Sequence, residues 1–262
     1  MLGVPLRLAR LVRHGYYAVA AMDHGLSAGR MPGLATMDQI ATGVRAVRSA
    51  GMRAVVLNLG LLTGPAAGAL LPALDGLALV VQLYGSPGID RYGGDRRPLG
   101  TVDAAISLGA DAIALQLAPA SPGFGRALDR AADLAGRARA LGVPSLLMVN
   151  GSAWSGPEEF LDLVRAVAEL PVDLVKANPG DCLTGLEPAA LAGNPKPVLF
   201  AGGPLQATFA KQALIASQAG FAGVCLGRNI FQADDPAEAV RSVDRAFAAS
   251  SAAGRPLGAP GA

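Results

Sequence analysis

One lysine occupies a position suited to covalent chemistry. Lys176 ends the apolar run VDLVK (172–176), and it is one of only three lysines among 22 basic residues. This composition favours arginine wherever a positive charge alone is needed. A lysine amine can attack a carbonyl carbon and form an imine, which an arginine guanidinium does not do. Lys176 is therefore a candidate nucleophile; the structural alternative is a lysine paired with Asp23 or Asp173.

The segment MDHG (22–25) contains two groups that could move protons. Asp23 could act as a proton shuttle or position Lys176 by its charge, or it could simply cap or fix a loop. Neighbouring residues on a strand point to opposite faces, so only one of the pair readily faces the same interior. We expect Asp23 to point inward; His24 is a weaker pocket candidate, with a packed loop histidine as the alternative.

Two glycine motifs have the character of a phosphate site. Gly202 and Gly203 follow one apolar run, and Gly227 and Arg228 follow the next. Backbone N–H groups bind oxyanions, glycine leaves room for their approach, and an arginine adds a charge-assisted contact. Either motif alone also occurs in ordinary turns. Together, at these two positions, they predict phosphate binding.

Eight short apolar runs carry these residues. Each is continuous rather than alternating, as strands buried on both faces are, and they span 17–22, 54–58, 78–83, 112–117, 145–149, 172–176, 197–201 and 223–226. Between them lie amphipathic segments at 38–49, 102–108, 124–141, 157–169, 209–219 and 236–248. Several of these end at a glycine suited to a left-handed helix cap. The pattern predicts an α/β protein, a (β/α)8 TIM barrel.

The chain has no evident linker, so we predict one barrel domain at 1–249 and a flexible tail at 250–262. An open, doubly wound sheet is the alternative, but no GxGxxG loop follows the first run. The Gly- and Pro-rich stretch 85–100 is expected to be a loop on the active face, or else a domain boundary. Because the active site of a barrel lies at the carboxyl ends of its strands, further pocket candidates are Asn58, Gln82, Tyr84, Gln116 and Asn150.

Composition argues against several classes of function. The net charge is +2 and no dense basic run is interleaved with aromatic residues, so we expect no nucleic-acid partner. No apolar run reaches the length of about 18 residues that a membrane span needs, and residues 1–17 do not have the pattern of a signal peptide. Cys182 and Cys225 lie far apart, so we expect two reduced thiols in a cytoplasmic protein.

Several segments resemble a family of Schiff-base aldolases. MDHG (22–25), VDLVK (172–176), AGGP (201–204) and GVCLGRNIFQADDP (223–236) are similar to segments of archaeal-type class I fructose-bisphosphate aldolases. They are also similar to the related 2-amino-3,7-dideoxy-D-threo-hept-6-ulosonate synthases and to the thiolase-like enzyme that processes autoinducer-2 phosphate. GTVDAAISLGADAIALQL (100–117) fits the same pattern, so the similarity spans nearly the whole chain.

The resemblance implies that Lys176 forms an imine with a phosphoketone such as dihydroxyacetone phosphate. It also implies that Asp23 assists proton transfers and that the glycine motifs with Arg228 hold the phosphate. No metal and no cofactor other than the lysine imine would be needed. Such relatives are commonly homo-oligomers, often decamers.

One departure from the family pattern concerns the fifth strand. The family usually carries a tyrosine there as general acid or base, in a segment like MYPRG, whereas LMVNGSAW (147–154) places Met148 at the tyrosine and Asn150 at the arginine. A thioether cannot transfer that proton. Tyr84 is a candidate replacement, or an aromatic residue packed at the rim. Trp154 and Tyr92 lie in loops and are candidates for shaping specificity.

The sequence therefore predicts a class I aldolase that joins a phosphoketone to an aldehyde such as aspartate semialdehyde, or cleaves the reverse product. Aromatic-precursor or specialised metabolism is the expected setting. One alternative is a Schiff-base barrel with a changed reaction, such as acyl transfer or sugar-phosphate rearrangement. Another is a sugar-phosphate-binding protein without turnover.

Overall fold

The structure, a computed structural model, describes residues 2–86, 96–119, 123–151 and 154–252, apart from the side chains of residues 66 and 249–252. Most of the expected active-face loop 85–100, with Tyr92, therefore lies outside the described residues. Residues 253–262 of the predicted tail do so too.

Eight parallel strands close into a barrel. In chain order they are β1 (Tyr16–Ala21), β2 (Ala54–Asn58), β3 (Ala78–Gly85), β4 (Ala112–Leu117), β5 (Ser145–Val149), β6 (Leu174–Ala177), β7 (Val198–Phe200) and β8 (Gly223–Leu226). Each pairs in parallel with the next, and β8 pairs with β1. The predicted (β/α)8 barrel is confirmed, because an open sheet would leave two unpaired edges.

Ten α-helices accompany the strands. They are α1 (Gly3–Arg10), α2 (His24–Ala28), α3 (Met37–Ala50), α4 (Leu71–Leu74), α5 (Val102–Ser107), α6 (Phe124–Ala140), α7 (Pro157–Val167), α8 (Phe209–Gln218), α9 (Arg228–Phe231) and α10 (Pro236–Ala252) within the described ranges. Helix α3 illustrates the local signals, since Thr36 accepts a hydrogen bond from the Gln39 N–H at 3.3 Å and Gly51 caps the other end at φ 102°. Helix α10 continues through Ala252, three residues into the predicted tail.

Alternate strand residues form two apolar layers. Ala54 and Val56 of β2 point into the barrel, where they pack with their counterparts from the other strands. Val55 and Leu57 point outward and pack against the helices. The same alternation carries on to the carboxyl ends of the strands, where polar residues replace the apolar ones.

The amino-terminal segment closes the opposite end of the barrel, which the sequence did not predict. Helix α1 buries Val4 and Leu8 against the barrel interior. A short strand, Val12–Arg13, then pairs antiparallel with the start of β1. This end is plugged, so a ligand has access from the carboxyl ends of the strands. None of the described helices is both long and apolar enough to cross a membrane.

Candidate active site

A polar pocket of about 260 Å³ lies at the carboxyl ends of the strands. Nine of the residues predicted from the sequence line it: Asp23, His24, Gln116, Asn150, Lys176, Gly202, Gly203, Gly227 and Arg228. They come from six different strands or from the segments that follow them. The barrel thus brings together groups that lie as far as 205 residues apart in the chain, from Asp23 to Arg228.

Lys176 enters the pocket from β6. Its Nζ lies 3.6 Å from the sulfur of Met148, which is its partner in register on β5. Met148 is buried inside the barrel, beneath the pocket rather than on its lining. Asp173 instead binds Arg139 and accepts a hydrogen bond from the Ser145 N–H at 2.9 Å. No ion pair with Lys176 occurs in the part of the chain that the structure describes, so the alternative of a charge-paired lysine finds no support.

Asp23 is held in a fixed position beside the pocket. It is only 5% exposed, and its Oδ2 accepts a hydrogen bond from Gln116 Nε2 at 3.0 Å. Asn58 Nδ2 donates to the backbone oxygen of Asp23 at 2.8 Å. Asn58 itself lines a neighbouring apolar pocket of about 530 Å³ and not the polar one. Asn58 therefore supports Asp23 from the next strand.

His24 also lines the pocket, so its position agrees with the pocket candidate and not with the alternative of a packed loop residue. The strand ends at Ala21 and α2 begins at His24, with Asp23 in a non-extended conformation (φ −86°, ψ 1°). The alternation of a strand no longer applies at that point, so both side chains face the same space. His24 Nδ1 lies 3.9 Å from Asp23 Oδ1.

Burial is the main cause of a lowered pKa at His24. The charges of Lys176 and Arg228 lower this pKa further, while Asp23 acts in the opposite direction. The lowering effects prevail. His24 is therefore a neutral imidazole near pH 7.

The two glycine motifs lie side by side, because they follow the neighbouring strands β7 and β8. A side-chain carbon at Gly202 would come within 2.8 Å of Asn229 Nδ2, and Gly203 has φ +67°. A side-chain carbon at Gly227 would come within 2.4 Å of His24 Cε1. Only glycine fits these places. Beside them, the Nε donor of Arg228 is buried and has no hydrogen-bond partner among the described residues, as expected of a group that binds an anion.

Asn229 holds the loop that carries Gly202 and Gly203, a role that the sequence reasoning missed. Its Nδ2 donates to the backbone oxygens of Gly202, Gly203 and Pro204 at 3.0 to 3.3 Å, and its Oδ1 accepts from the Gln206 N–H at 3.0 Å. Asn229 is 2% exposed. The sequence signal that could have indicated this role is that Asn229 lies within GVCLGRNIFQADDP (223–236), one of the segments that resemble the aldolases.

Asn178 and Cys225 also line the pocket and were missed. The strand period could have indicated both residues, because side chains two positions apart on a strand point to the same face. Asn178 lies two residues after Lys176, and Cys225 lies two residues before Gly227. Trp154 does not line this pocket. Its Nε1 donates to the Asn178 backbone oxygen at 2.9 Å, which anchors the segment after β6.

Tyr84 is not brought to the pocket. A register shift between Gln82 and Tyr84 interrupts the alternation of β3, and the Tyr84 ring packs in the outer apolar layer. Its hydroxyl donates to the Arg96 backbone oxygen at 3.0 Å. The structure therefore corrects the suggestion that Tyr84 replaces the strand-five tyrosine. The alternative, packing at the rim, agrees with its position.

No cluster of three or more potential metal-ligating His, Cys, Asp or Glu side chains occurs within the described ranges. The chemistry available to the pocket comes from an amine, a carboxylate, an imidazole and a guanidinium. An amine beside groups that can move protons is suited to imine chemistry, and the glycine motifs are suited to an anionic substituent on the same molecule.

Comparison with known proteins places this arrangement in a family. A profile described as DeoC/LacD family aldolase matches residues 17–233. A 2-amino-3,7-dideoxy-D-threo-hept-6-ulosonate synthase of Archaeoglobus fulgidus is 27% identical over 247 residues, which cover 93% of this chain and 90% of that protein. A class 1 fructose-bisphosphate aldolase of Thermoproteus tenax is 28% identical over 251 residues, with 88% and 89% covered.

Solved structures agree on the fold. An archaeal fructose 1,6-bisphosphate aldolase superposes with a TM-score of 0.75 at 23% identity, covering 94% of this chain and 99% of that one. Another archaeal aldolase, whose catalytic lysine is covalently bound to the carbinolamine intermediate of its substrate, gives 0.73 at 24% identity with the same coverage. The resemblance drawn from the sequence segments is confirmed.

Proposed function

Because the chain belongs to the DeoC/LacD family of aldolases, which makes it an aldolase-type lyase, we propose that Lys176 forms an imine with a phosphorylated ketone such as dihydroxyacetone phosphate. The observation that carries this proposal is a single lysine amine that lines a polar pocket together with two glycine motifs and a buried arginine donor. The amine supplies the nucleophile, and the ends of the neighbouring strands β7 and β8 supply an anion site. An aldehyde is the second substrate.

The reaction proceeds through groups that the pocket holds. The Lys176 amine adds to the ketone carbon, and loss of water gives an imine whose protonated nitrogen draws electrons from the adjacent carbon. A proton leaves that carbon, and the enamine so formed attacks the aldehyde carbon. Water then hydrolyses the imine, which releases the product and the amine. Asp23 gives and takes the proton as water leaves and returns.

The phosphate is bound by the backbone N–H groups of the glycine motifs and by Arg228. Gly202, Gly203 and Gly227 allow an oxyanion to approach the backbone closely. The guanidinium of Arg228 adds a charge-assisted hydrogen bond. Anchoring the phosphate positions the ketone carbon near Lys176. The attack of the amine on this carbon then becomes effectively unimolecular, which lowers its entropic cost.

We base the proposed aldehyde substrate and the proposed metabolic role of this chain on its relatives. The ulosonate synthases favour an acceptor such as aspartate semialdehyde and a place in aromatic-precursor or specialised metabolism. Met148 favours a second candidate, a Schiff-base barrel with a changed reaction such as acyl transfer or sugar-phosphate rearrangement. Product analysis with each acceptor distinguishes the two candidates, since only the aldolase joins the phosphoketone to the aldehyde through a new carbon–carbon bond.

Borohydride trapping tests the central step. The protein is incubated with dihydroxyacetone phosphate, reduced, and examined by intact-mass and peptide analysis. We expect an adduct on Lys176 that persists in Lys211→Met, an exposed lysine of α8, and is absent in Lys176→Met. A protein that binds the phosphoketone without forming the adduct would instead be a sugar-phosphate-binding protein without this chemistry.

We also propose a cytoplasmic homo-oligomer, in keeping with the family resemblance. Leu2 and Leu6, 77% and 65% exposed, lie about one turn apart and present an apolar strip at α1. Such a strip suits contact with a second subunit. Light scattering would give the number of 26.3 kDa chains in the particle, and a decamer is the expected result.

A further inference from the structure

The proposed reaction needs a proton carrier to take over the role that the strand-five tyrosine has in the family. A proton must leave the carbon next to the imine, and the oxygen of the aldehyde must receive one when the new bond forms. Met148 Sδ lies next to Lys176 Nζ but cannot do either. Tyr84 packs outside the barrel interior. Another group that lines the pocket must therefore carry this proton.

Five titratable side chains line the pocket in the described part of the chain: Asp23, His24, Lys176, Cys225 and Arg228. Lys176 is consumed as the imine, and the guanidinium of Arg228 does not lose its proton. Burial raises the pKa of Cys225 to about 11, so its thiol is not a base at neutral pH. Asp23 and His24 remain.

We infer that His24 carries the proton between the carbon next to the imine and the oxygen of the aldehyde, with Asp23 beside it. This inference rests on the proposed function. Asp23 is tied to Gln116 through Oδ2, whereas the His24 ring is the less enclosed of the two, with its side chain 23% exposed against 6% for Asp23. His24 therefore has the better access to a bound substrate.

The ring of His24 is held rigidly. It lies against Gly227, where a side-chain carbon would come within 2.4 Å of Cε1, and it meets Phe231 edge to face at 5.7 Å between ring centres. Nδ1 is buried without a hydrogen-bond partner in the residues described, and it faces Asp23 Oδ1 at 3.9 Å. With Nδ1 enclosed, Nε2 is the nitrogen available to a ligand. Gly227 is thus needed for the ring as well as for the phosphate.

The charges around the ring suit a base that becomes an acid. Burial, with the cations Lys176 and Arg228, lowers the pKa of His24, so the free imidazole is neutral and can accept a proton. As it does so, the C–H electron pair becomes the enamine double bond and the imine nitrogen takes the displaced pair. The imidazolium then lies next to the Asp23 carboxylate. When the enamine attacks, the carbonyl electrons move to the aldehyde oxygen, which takes the proton from His24.

Isotope exchange isolates this step from imine formation. The wild type and His24→Asn are incubated with dihydroxyacetone phosphate in D₂O, and loss of the carbon-bound proton is followed by NMR. His14→Asn is the matched control, since His14 is the other histidine of the chain and lies in an exposed turn (φ 46°) at the opposite end of the barrel. We expect exchange to fall on the order of 100-fold in His24→Asn and to be unchanged in His14→Asn.

Three further readouts make the outcome decisive. Borohydride trapping of Lys176 must persist in His24→Asn, which also establishes that the variant is folded. Free imidazole should restore exchange in His24→Ala. The acid-side fall of kcat/KM lies below the ordinary histidine pKa of about 6.5, because the pKa of His24 is lowered, and this fall should vanish in the asparagine variant. Exchange within about threefold of wild type in a variant that still traps would overturn the role of His24. No trapping in the wild type would overturn the proposed function instead.

Discussion

Met148 is the residue whose contact with Lys176 most directly limits the chemistry of the pocket. It takes the register position directly opposite the lysine on β5, and its sulfur lies 3.6 Å from the amine. A thioether in that place is an apolar neighbour and a weak acceptor, so it shapes the surroundings of the amine without exchanging protons. The proton chemistry is thereby moved to the β1 side of the pocket, where Asp23 and His24 lie.

Replacing Met148 by leucine tests whether the sulfur takes any chemical part. Met148→Leu preserves volume and hydrophobicity, so the free energy of unfolding should change by less than about 1.5 kcal/mol. Adduct formation on Lys176 and turnover should both stay within about threefold of wild type, because no proton passes through the sulfur. Steady-state kinetics and chemical denaturation measure the two effects. A loss of turnover without loss of the adduct would assign Met148 a direct role.

The positions of the site residues were predictable where the strand period applies and not where it ends. Lys176 was identified because it closes an apolar run, and Asp23 because it continues the inward series of β1. The strand period gave only weak support for His24, because a helix begins at that residue and turns its side chain into the same space as Asp23. The Asn229 contacts could not be predicted, since they join two loops that only the closed barrel brings together.

At the scale of elements, the loop after β7 depends on α9. Asn229, the second residue of α9, donates hydrogen bonds to three successive backbone oxygens of that loop. These bonds hold Gly202 and Gly203 in the conformation proposed to receive phosphate. The link between the two elements is therefore a link between the two halves of the anion site.

Changing this amide to an acid should disrupt the loop. Asn229→Asp removes the donors and places a carboxylate against three carbonyl oxygens, so the free energy of unfolding should fall by about 1–3 kcal/mol. The KM for the phosphorylated ketone should rise about tenfold, equivalent to about 1.4 kcal/mol. Thermal unfolding and steady-state kinetics measure these changes.

Gln232→Glu provides the comparison for that variant. Gln232 follows α9 and donates one exposed hydrogen bond to Pro32, away from the polar pocket. It should change the free energy of unfolding by less than about 0.5 kcal/mol and leave the KM unaffected. Equal effects of the two substitutions would mean that the Asn229 contacts do not hold the anion site.

The sequence predicted the barrel strands more readily than the elements at its amino-terminal end. Continuous apolar runs identify strands covered on both sides, and all eight were found. Helix α1 was missed because it is short and only two of its residues, Val4 and Leu8, are buried. The suggested catalytic role of Tyr84 is not supported because a register shift in β3 changes the side-chain alternation, and an apolar run contains no signal for such a shift.

At the scale of the whole molecule, one polar cluster joins the beginning of the chain to its end. Asp244 of α10 accepts hydrogen bonds from Arg13 Nε and Nη2 at 2.9 and 2.8 Å and from the Tyr16 hydroxyl at 2.9 Å. Arg13 also donates to the Gly51 backbone oxygen at 2.8 Å, which adds the end of α3. The Arg13 and Asp244 side chains are 24% and 23% exposed, so water weakens this bidentate pair only in part.

Removing the charge of Asp244 should loosen the junction between the first strand and the last helix. Burial alone would raise the pKa of Asp244, but the hydrogen bonds from Arg13 and Tyr16 outweigh it, so the folded pKa lies below the unfolded one. A carboxyl with a depressed folded pKa stabilises the fold above its unfolded pKa of about 3.9, and this contribution is lost as the pH falls through the folded pKa. Asp244→Asn should therefore cost about 1.5–3 kcal/mol near pH 7. The difference should shrink as the pH falls below about 3.9.

Urea unfolding across this pH range tests the junction, with Glu169→Gln as the comparison. Glu169 pairs with Arg165 at the surface, where it is 69% exposed, so its loss should change the free energy of unfolding by less than about 1 kcal/mol. A large effect of Asp244→Asn at neutral pH, absent from Glu169→Gln, would assign the stability to the junction rather than to net charge. A pH-independent difference would mean that packing at α10, and not the ionised carboxylate, joins the two ends of the chain. Because this junction lies at the end of the barrel opposite Lys176, imine trapping should be unchanged in Asp244→Asn wherever the variant remains folded.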